Sequence, residues 1–169
     1  MKDKHRTRLI RGILTVDVVL FTRRGGRLFV LAVERGKEPF RTALALPGGF
    51  VNPGERTPDA AVRELGEETG LAIHRNRLRR LGFYDKPGRD PRGPIASVVY
   101  HGYTADAPAV RGAGDAQAAR WLRVAEFLAP ETSVAFDHRE IVAEATARRF
   151  GRLSYPSNHQ EQNLSPRIT

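Results

Sequence analysis

The sequence predicts one domain of mixed α and β structure. Three observations predict it. Two β-rich stretches, Ile13–Phe21 and Leu28–Val33, are joined through Gly25-Gly26, one helix signature opens at Thr57-Pro58, and another opens at Asp137. A chain of 169 residues is long enough to bury a core, and no repeat, low-complexity run or linker divides it.

The first two stretches form an expected hairpin. A loop rich in Gly, Pro and Lys leads to a short strand at Ala43–Leu46, which Pro47-Gly48-Gly49 is expected to break. At Thr57-Pro58, Thr is a good N-cap, Pro is tolerated at the first helical position, and Asp59 complements the positive helix end. This helix is expected to run to Thr69, with Gly70 in the left-handed C-terminal position. Strands at Leu78–Tyr84 and Ile95–Tyr103 flank a Pro- and Arg-rich loop, Asp85–Pro94, and a short strand surrounds Trp121, read as a core residue. Asp137 and Glu140 make a capping-box pattern with Phe136 and Ile141 at the staple positions, and the helix should end near Phe150-Gly151. Residues 1–12 read as a basic N-terminal segment, 13–150 as the domain, and 151–169 as a polar tail.

Composition narrows the function. The apolar and charged fractions, 40% and 28%, are those of a globular protein rather than a disordered chain. With no cysteine there is no disulfide framework and no zinc–thiolate site. The stretch Ile13–Phe21 carries Asp17 and is too short to span a bilayer, so no membrane partner and a cytoplasmic location are expected. A net charge of +9 suits a polyanionic partner. Because the arginines are scattered rather than concentrated on one tail, a phosphorylated small molecule is favoured over nucleic acid.

Three carboxylates stand out. Glu64 and Glu68 are i,i+4 on the predicted helix and Glu67 lies i+3 from Glu64, which puts all three on one face, while Val62, Leu65 and Thr69 define another for packing. Like charges at this spacing cost about 0.2–0.5 kcal/mol per pair. Acidic groups at a helix C-terminus also oppose its dipole, at roughly 0.3–1 kcal/mol each. A solvated acidic face and a cation site both remain open on this arrangement alone. A divalent cation would supply the missing attraction, and all-oxygen ligands favour magnesium, with manganese as the substitute, over zinc.

The surrounding residues from Gly49 to Leu71 read GFVNPGERTPDAAVRELGEETGL. They match every fixed position of the Nudix box: Gly, five residues, Glu, seven residues, then Arg-Glu-aliphatic-X-Glu-Glu-X-Gly-aliphatic. The chain from Ile13 to Phe150 thus resembles the Nudix hydrolases. The resemblance implies an α/β/α sandwich with a mixed β-sheet, and the box as loop–helix–loop. It implies Glu64 and Glu68 as principal metal ligands, Glu67 as a further ligand, direct or through water, and the Gly49 carbonyl completing the shell. It also implies Glu55 and Arg63 as the supporting pair, with Arg63 orienting the glutamates. The implied chemistry is attack of water on phosphorus, assisted by a bound metal.

Outside the box, Tyr84-Asp85-Lys86-Pro87-Gly88-Arg89-Asp90-Pro91-Arg92-Gly93 resembles the loop of bacterial ADP-ribose pyrophosphatases, with Pro87 as the marker. Arg89 and Arg92 are the expected substrate contacts, through forked hydrogen bonds to phosphate or ribose oxygens, against the alternative of a plain rigid loop. Asp115 is the candidate general base supplied by a loop and Glu67 the rival on the helix. Asp137 is read as a helix cap and His138 as packing or hydrogen-bonding. Phe21, Phe83 and Tyr84 are equally candidates for stacking a base or for the core.

The resemblance implies hydrolysis of ADP-ribose to AMP and ribose 5-phosphate, a small-molecule nucleotide partner, and leaves a homodimer open. The alternatives are a MutT-like nucleoside-triphosphate pyrophosphohydrolase and a non-catalytic ligand-sensing domain of NAD metabolism. The sensor is disfavoured by the intact glutamates and by the short stretch after the last helix, which leaves no room for a winged-helix domain. RNA decapping rests on the basic charge alone.

Overall fold

The computed structural model describes residues 13–151; the segment 1–12 and the tail from 152 onward lie outside the described residues. Seven strands and three helices follow one another as β1 (Ile13–Arg24), β2 (Arg27–Arg35), β3 (Leu44–Ala45), β4 (Gly48–Phe50), α1 (Thr57–Thr69), β5 (Arg79–Tyr84), β6 (Ile95–Tyr103), β7 (Ala116–Arg123), α2 (Val124–Leu128) and α3 (His138–Phe150). The expected hairpin forms and runs longer than its apolar stretches, because Arg24 pairs with Arg27 across the Gly25-Gly26 turn. Both turn glycines have positive φ, 53° and 74°, as a two-residue hairpin turn requires.

One mixed sheet carries the fold, in the order β3-β2-β1-β6-β5, with β4 on β1 and β7 on β2. β1 and β6 run parallel over Ile13–Phe21, and the remaining pairings are antiparallel. β1 shares one edge between two partners. Phe21–Arg24 pair with β2, and Thr15–Asp17 pair with β4. Alternation along β1 sends Val16, Val18 and Leu20 to a core with Ala60, Ala61 and Leu65 of α1. Val19 and Phe21 point to the other side, where they join Phe127 of α2 and Ile141, Val142 and Ala145 of α3. Helices therefore cover both faces, giving the expected α/β/α layering. Among the described residues no helix is long and apolar enough to cross a membrane.

Several local expectations need correction. Pro47-Gly48-Gly49 does not simply break a strand: β3 stops at Ala45, and Gly48–Phe50 forms β4 against β1. Thr57 is the first residue of α1 and does not cap it; its hydroxyl bonds the Tyr100 hydroxyl at 2.8 Å. Asp137 occupies the N-cap position of α3 but makes no side-chain cap bond, because Arg89 holds its carboxylate. Trp121 is only partly buried, packed on the α1-side core while its indole N–H donates to the Pro108 carbonyl. Short α2 was not anticipated. Gly70, at φ 73°, closes α1 in the left-handed conformation as expected.

Candidate active site

The β1–β4 pairing places Gly48 opposite Asp17 and Gly49 opposite Val16, directly beneath the acidic side of α1. Glycine is required at Gly48, where a Cβ would meet backbone, and at Gly49 a Cβ would displace the Glu64 carboxylate. A Cβ on Gly48 would lie 2.2 Å from the Val16 carbonyl oxygen and 2.6 Å from Asp17 Oδ1. One on Gly49 would lie 2.6 Å from the Glu64 carboxyl carbon and from both its oxygens. The Glu64 carboxylate thus rests on bare backbone. Glu68 reaches the same turn, its Oε2 accepting the Gly48 amide at 3.0 Å.

Arg63 organises the other carboxylates. Its Nε and Nη2 each lie 2.8 Å from a Glu55 oxygen, Nη1 lies 2.6 Å from Glu64 Oε1 and 3.3 Å from Glu67 Oε2, and Nη2 also donates to the Phe50 carbonyl. The hydrogen bonds from Arg63 and then from the Asn52 amide hold the Glu55 carboxyl down at about 2. Burial pushes the Glu68 carboxyl up to about 8 against the Gly48 amide, with the charges of Glu64, Asp17 and Asp115 adding to the shift. Burial likewise raises Glu64, opposed by Arg63. Two half-buried carboxylates that resist ionisation are what a cation site looks like before its cation is counted.

The donor set fits a hard divalent ion. Glu64 and Glu68 present carboxylate oxygens beside the Gly49 backbone, and all-oxygen donors suit magnesium or manganese. Among the described residues no three such side chains form a ready ligand group, since Arg63 draws Glu64 and Glu67 toward itself.

These residues form one wall of a cavity of about 450 Å³. Lys37, Arg92 and Arg35 line it from other elements. Arg92 pairs with Asp90, its Nη2 at 2.6 Å from Oδ2, and its guanidinium lies 5.3 Å from the Phe50 ring centre and 5.4 Å from that of Phe136. Arg35 lies against the same Phe136 ring, 4.8 Å from its centroid, and among the described residues it has no carboxylate in salt-bridge range. Burial, then the like charge of Arg92, lowers the pKa of Arg35.

The sequence-derived candidates do not all meet in this cavity. Glu64, Glu67, Glu68, Gly49, Arg89, Arg92 and Asp115 line it. Asp115 is exposed and sits 2.5 Å from Lys37 Nζ. Arg89 is nearly inaccessible, with its side chain 4% exposed and its fork on both Asp137 oxygens at 2.7 and 2.9 Å. The fork expected to hold substrate is therefore engaged within the protein. Pro87 lines a neighbouring cavity of about 760 Å³ with Phe40, Phe83 and Tyr84. Of the candidate stacking residues, Phe21 is fully buried, whereas Phe83 is 49% exposed. Arg35, Lys37 and Asp17 were not singled out from sequence as site residues; an acid inside an apolar strand was the one available signal, at Asp17.

Comparisons with known proteins agree with this geometry. The family profile described as the NUDIX domain matches residues 13–145. An ADP-ribose pyrophosphatase of Methanocaldococcus jannaschii is 41% identical over 117 residues, covering 68% of this chain and 64% of that protein. The ADPR responsive transcriptional repressor NtrR of Acinetobacter baylyi is 28% identical over 145 residues, 85% of this chain and 56% of that one. This chain thus spans less than two thirds of the length of either relative. The NUDIX domain of Shewanella oneidensis NrtR, solved with ADP ribose, superposes with a TM-score of 0.74 at 30% identity, covering 81% of this chain and 88% of that one. With Gly49, Glu64, Glu67 and Glu68 of the box lining one cavity, Glu55 and Arg63 bracing them from outside it, and the profile matching residues 13–145, this chain belongs to the Nudix family.

Proposed function

We propose that this chain is a magnesium-dependent hydrolase of nucleoside diphosphates linked to another moiety, cleaving ADP-ribose to AMP and ribose 5-phosphate, with manganese as a substitute. One observation carries the reading: Glu64 and Glu68 stand on the Gly48-Gly49 turn at one wall of a cavity that also carries Arg35, Lys37 and Arg92. Carboxylates for a cation and cations for a diphosphate share one space. The name of the M. jannaschii relative and the ligand of the NrtR domain support ADP-ribose as the substrate.

In this reading Glu64 and Glu68, with Glu67 and the Gly49 carbonyl, hold the ion. When bound, it lowers the pKa of the attacking water and neutralises the phosphoryl oxygens. Glu55 fixes Arg63, and Arg63 fixes the orientation of Glu64 and Glu67. Water adds to one phosphorus, the bridging P–O bond breaks, and the bridging oxygen leaves with the other phosphate. The proton lost by water passes to Asp115 or Glu67, both exposed acidic side chains that line the cavity. Arg92 grips the diphosphate from the cavity wall, while Pro87 and Arg89 shape the loop that presents it.

A sensing role is the second reading, on the strength of the similarity to NtrR. A panel of ADP-ribose, dGTP and ATP with magnesium, resolved by product, separates the readings. AMP with ribose 5-phosphate supports the proposal, and inorganic pyrophosphate as the main product would move the chain to the MutT-like activity. Binding of ADP-ribose without turnover would make it a sensor.

A further inference from the structure

Deep in the cavity lining lies a buried polar group to which the proposed hydrolysis assigns no step. His138, the first residue of α3, is 3% exposed, and its Nδ1 accepts the Leu46 amide at 2.9 Å. That bond fixes the tautomer: the ring proton sits on Nε2, which faces Asp17 Oδ1 at 3.5 Å. Asp17 is itself buried, its Oδ2 taking the Ser97 hydroxyl at 2.5 Å and lying 3.9 Å from Arg89 Nη2. Burial lowers the His138 pKa, which keeps the ring neutral and Nδ1 available as an acceptor.

The Leu46–Gly48 segment is held at each of its three residues. His138 takes the Leu46 amide, the Val18 amide donates to the Pro47 carbonyl at 2.9 Å, and Gly48 packs so closely on Asp17 that no side chain fits between them. The Gly48 amide then donates to Glu68 Oε2. A continuous chain of contacts therefore runs from the start of α3 to a carboxylate on α1.

We propose that His138 is a positioning residue for Glu68, acting through the Leu46–Gly48 backbone to fix where that carboxylate meets the metal. The inference rests on the metal-site reading above, though not on the identity of the substrate. A histidine kept only to fill space would need a ring of the right volume. A positioning histidine needs an acceptor at the Nδ1 position, and that difference is testable.

The test compares His138→Asn, whose amide oxygen can occupy the Nδ1 position, with His138→Gln, whose amide reaches the Nε2 position instead. Manganese binding is read directly by electron paramagnetic resonance of the free ion, with melting temperatures alongside. His138→Asn should bind manganese within about threefold of wild type, and His138→Gln roughly tenfold or more weakly, the size of effect typical of groups that orient metal ligands. At saturating metal, KM for ADP-ribose should be unchanged in both. Equal affinities in the two variants, whether wild-type or weakened, would overturn the proposal. If His138→Gln fails to fold, His138→Asn decides alone: affinity near wild type supports it, and a tenfold loss overturns it. If wild type binds manganese but leaves ADP-ribose intact, and the Asn and Gln variants differ as expected, only the substrate reading falls. One that binds no manganese sinks both.

Discussion

Arg89 and Asp137 form a two-pronged ion pair, Nε to Oδ2 at 2.9 Å and Nη2 to Oδ1 at 2.7 Å, with the Arg89 side chain almost wholly removed from solvent. It ties the loop between β5 and β6 to the first turn of α3, next to His138. Breaking a buried pair by removing one partner strands the other charge and typically costs about 3–5 kcal/mol. Arg89→Ala should therefore lower the melting temperature by many degrees, a loss read by calorimetry. A variant with normal stability and only a raised KM would restore Arg89 to direct substrate contact.

Arg92 differs in being over a third exposed within the cavity, although it too has a carboxylate partner. Arg92→Ala should leave kcat nearly unchanged and raise KM for ADP-ribose by a factor worth about 1.5–3 kcal/mol, the range for a charge-assisted bond. Steady-state kinetics at saturating magnesium checks this. A fall in kcat with KM intact would place Arg92 in transition-state stabilisation instead.

In the proposed reaction Asp115 and Glu67 are rival acceptors for the proton of the attacking water. If Asp115 takes it, Asp115→Asn lowers kcat by roughly 10²–10⁴ with KM near wild type, while Glu67→Gln loses far less. The reverse pattern would put the base on α1. Its ion pair with Lys37 adds a control, since Lys37→Met frees Asp115 without removing it and should not abolish turnover.

The helix, its three glutamates and the left-handed Gly70 were legible in the sequence because they depend on local spacing. So were the hairpin and the long strand β6, whose apolar runs leave little choice. What sequence could not show depends on contacts between distant residues. Thr57 looks like a cap until Tyr100, 43 positions away, takes its hydroxyl. Asp137 likewise looks like a cap until Arg89 arrives from another loop. Gly48-Gly49 reads as a strand breaker because the free half-edge of β1 that receives it exists only once β2 has turned away. Arg35 lies on a strand with nothing local to mark it, and only the folded cavity brings it beside Arg92.

Burial of Glu68 makes a pH-dependent prediction for the metal-free protein. The unfolded carboxyl loses its proton near 4.5 and the folded one near 8, so between those values the folded state holds more protons than the unfolded state. Stability should then fall as pH rises through that window and level off above it. Glu68→Gln cannot titrate there, and in chelator its melting temperature should overtake wild type as pH rises from 4.5 to 8. Saturating magnesium should erase that advantage by stabilising the wild type alone. Parallel melting curves for the two proteins across that window, in chelator, would show that Glu68 is not a strained carboxylate.

The most direct test of the α1 carboxylates as the catalytic centre is kcat for ADP-ribose in Glu64→Gln and Glu68→Gln at saturating magnesium, with melting curves to establish folding. We expect each folded variant to lose two or more orders of magnitude, on the scale of roughly 10²–10⁴ for groups that act on the reacting water. Unchanged kcat in both variants would contradict the assignment and place the chemistry elsewhere in the molecule.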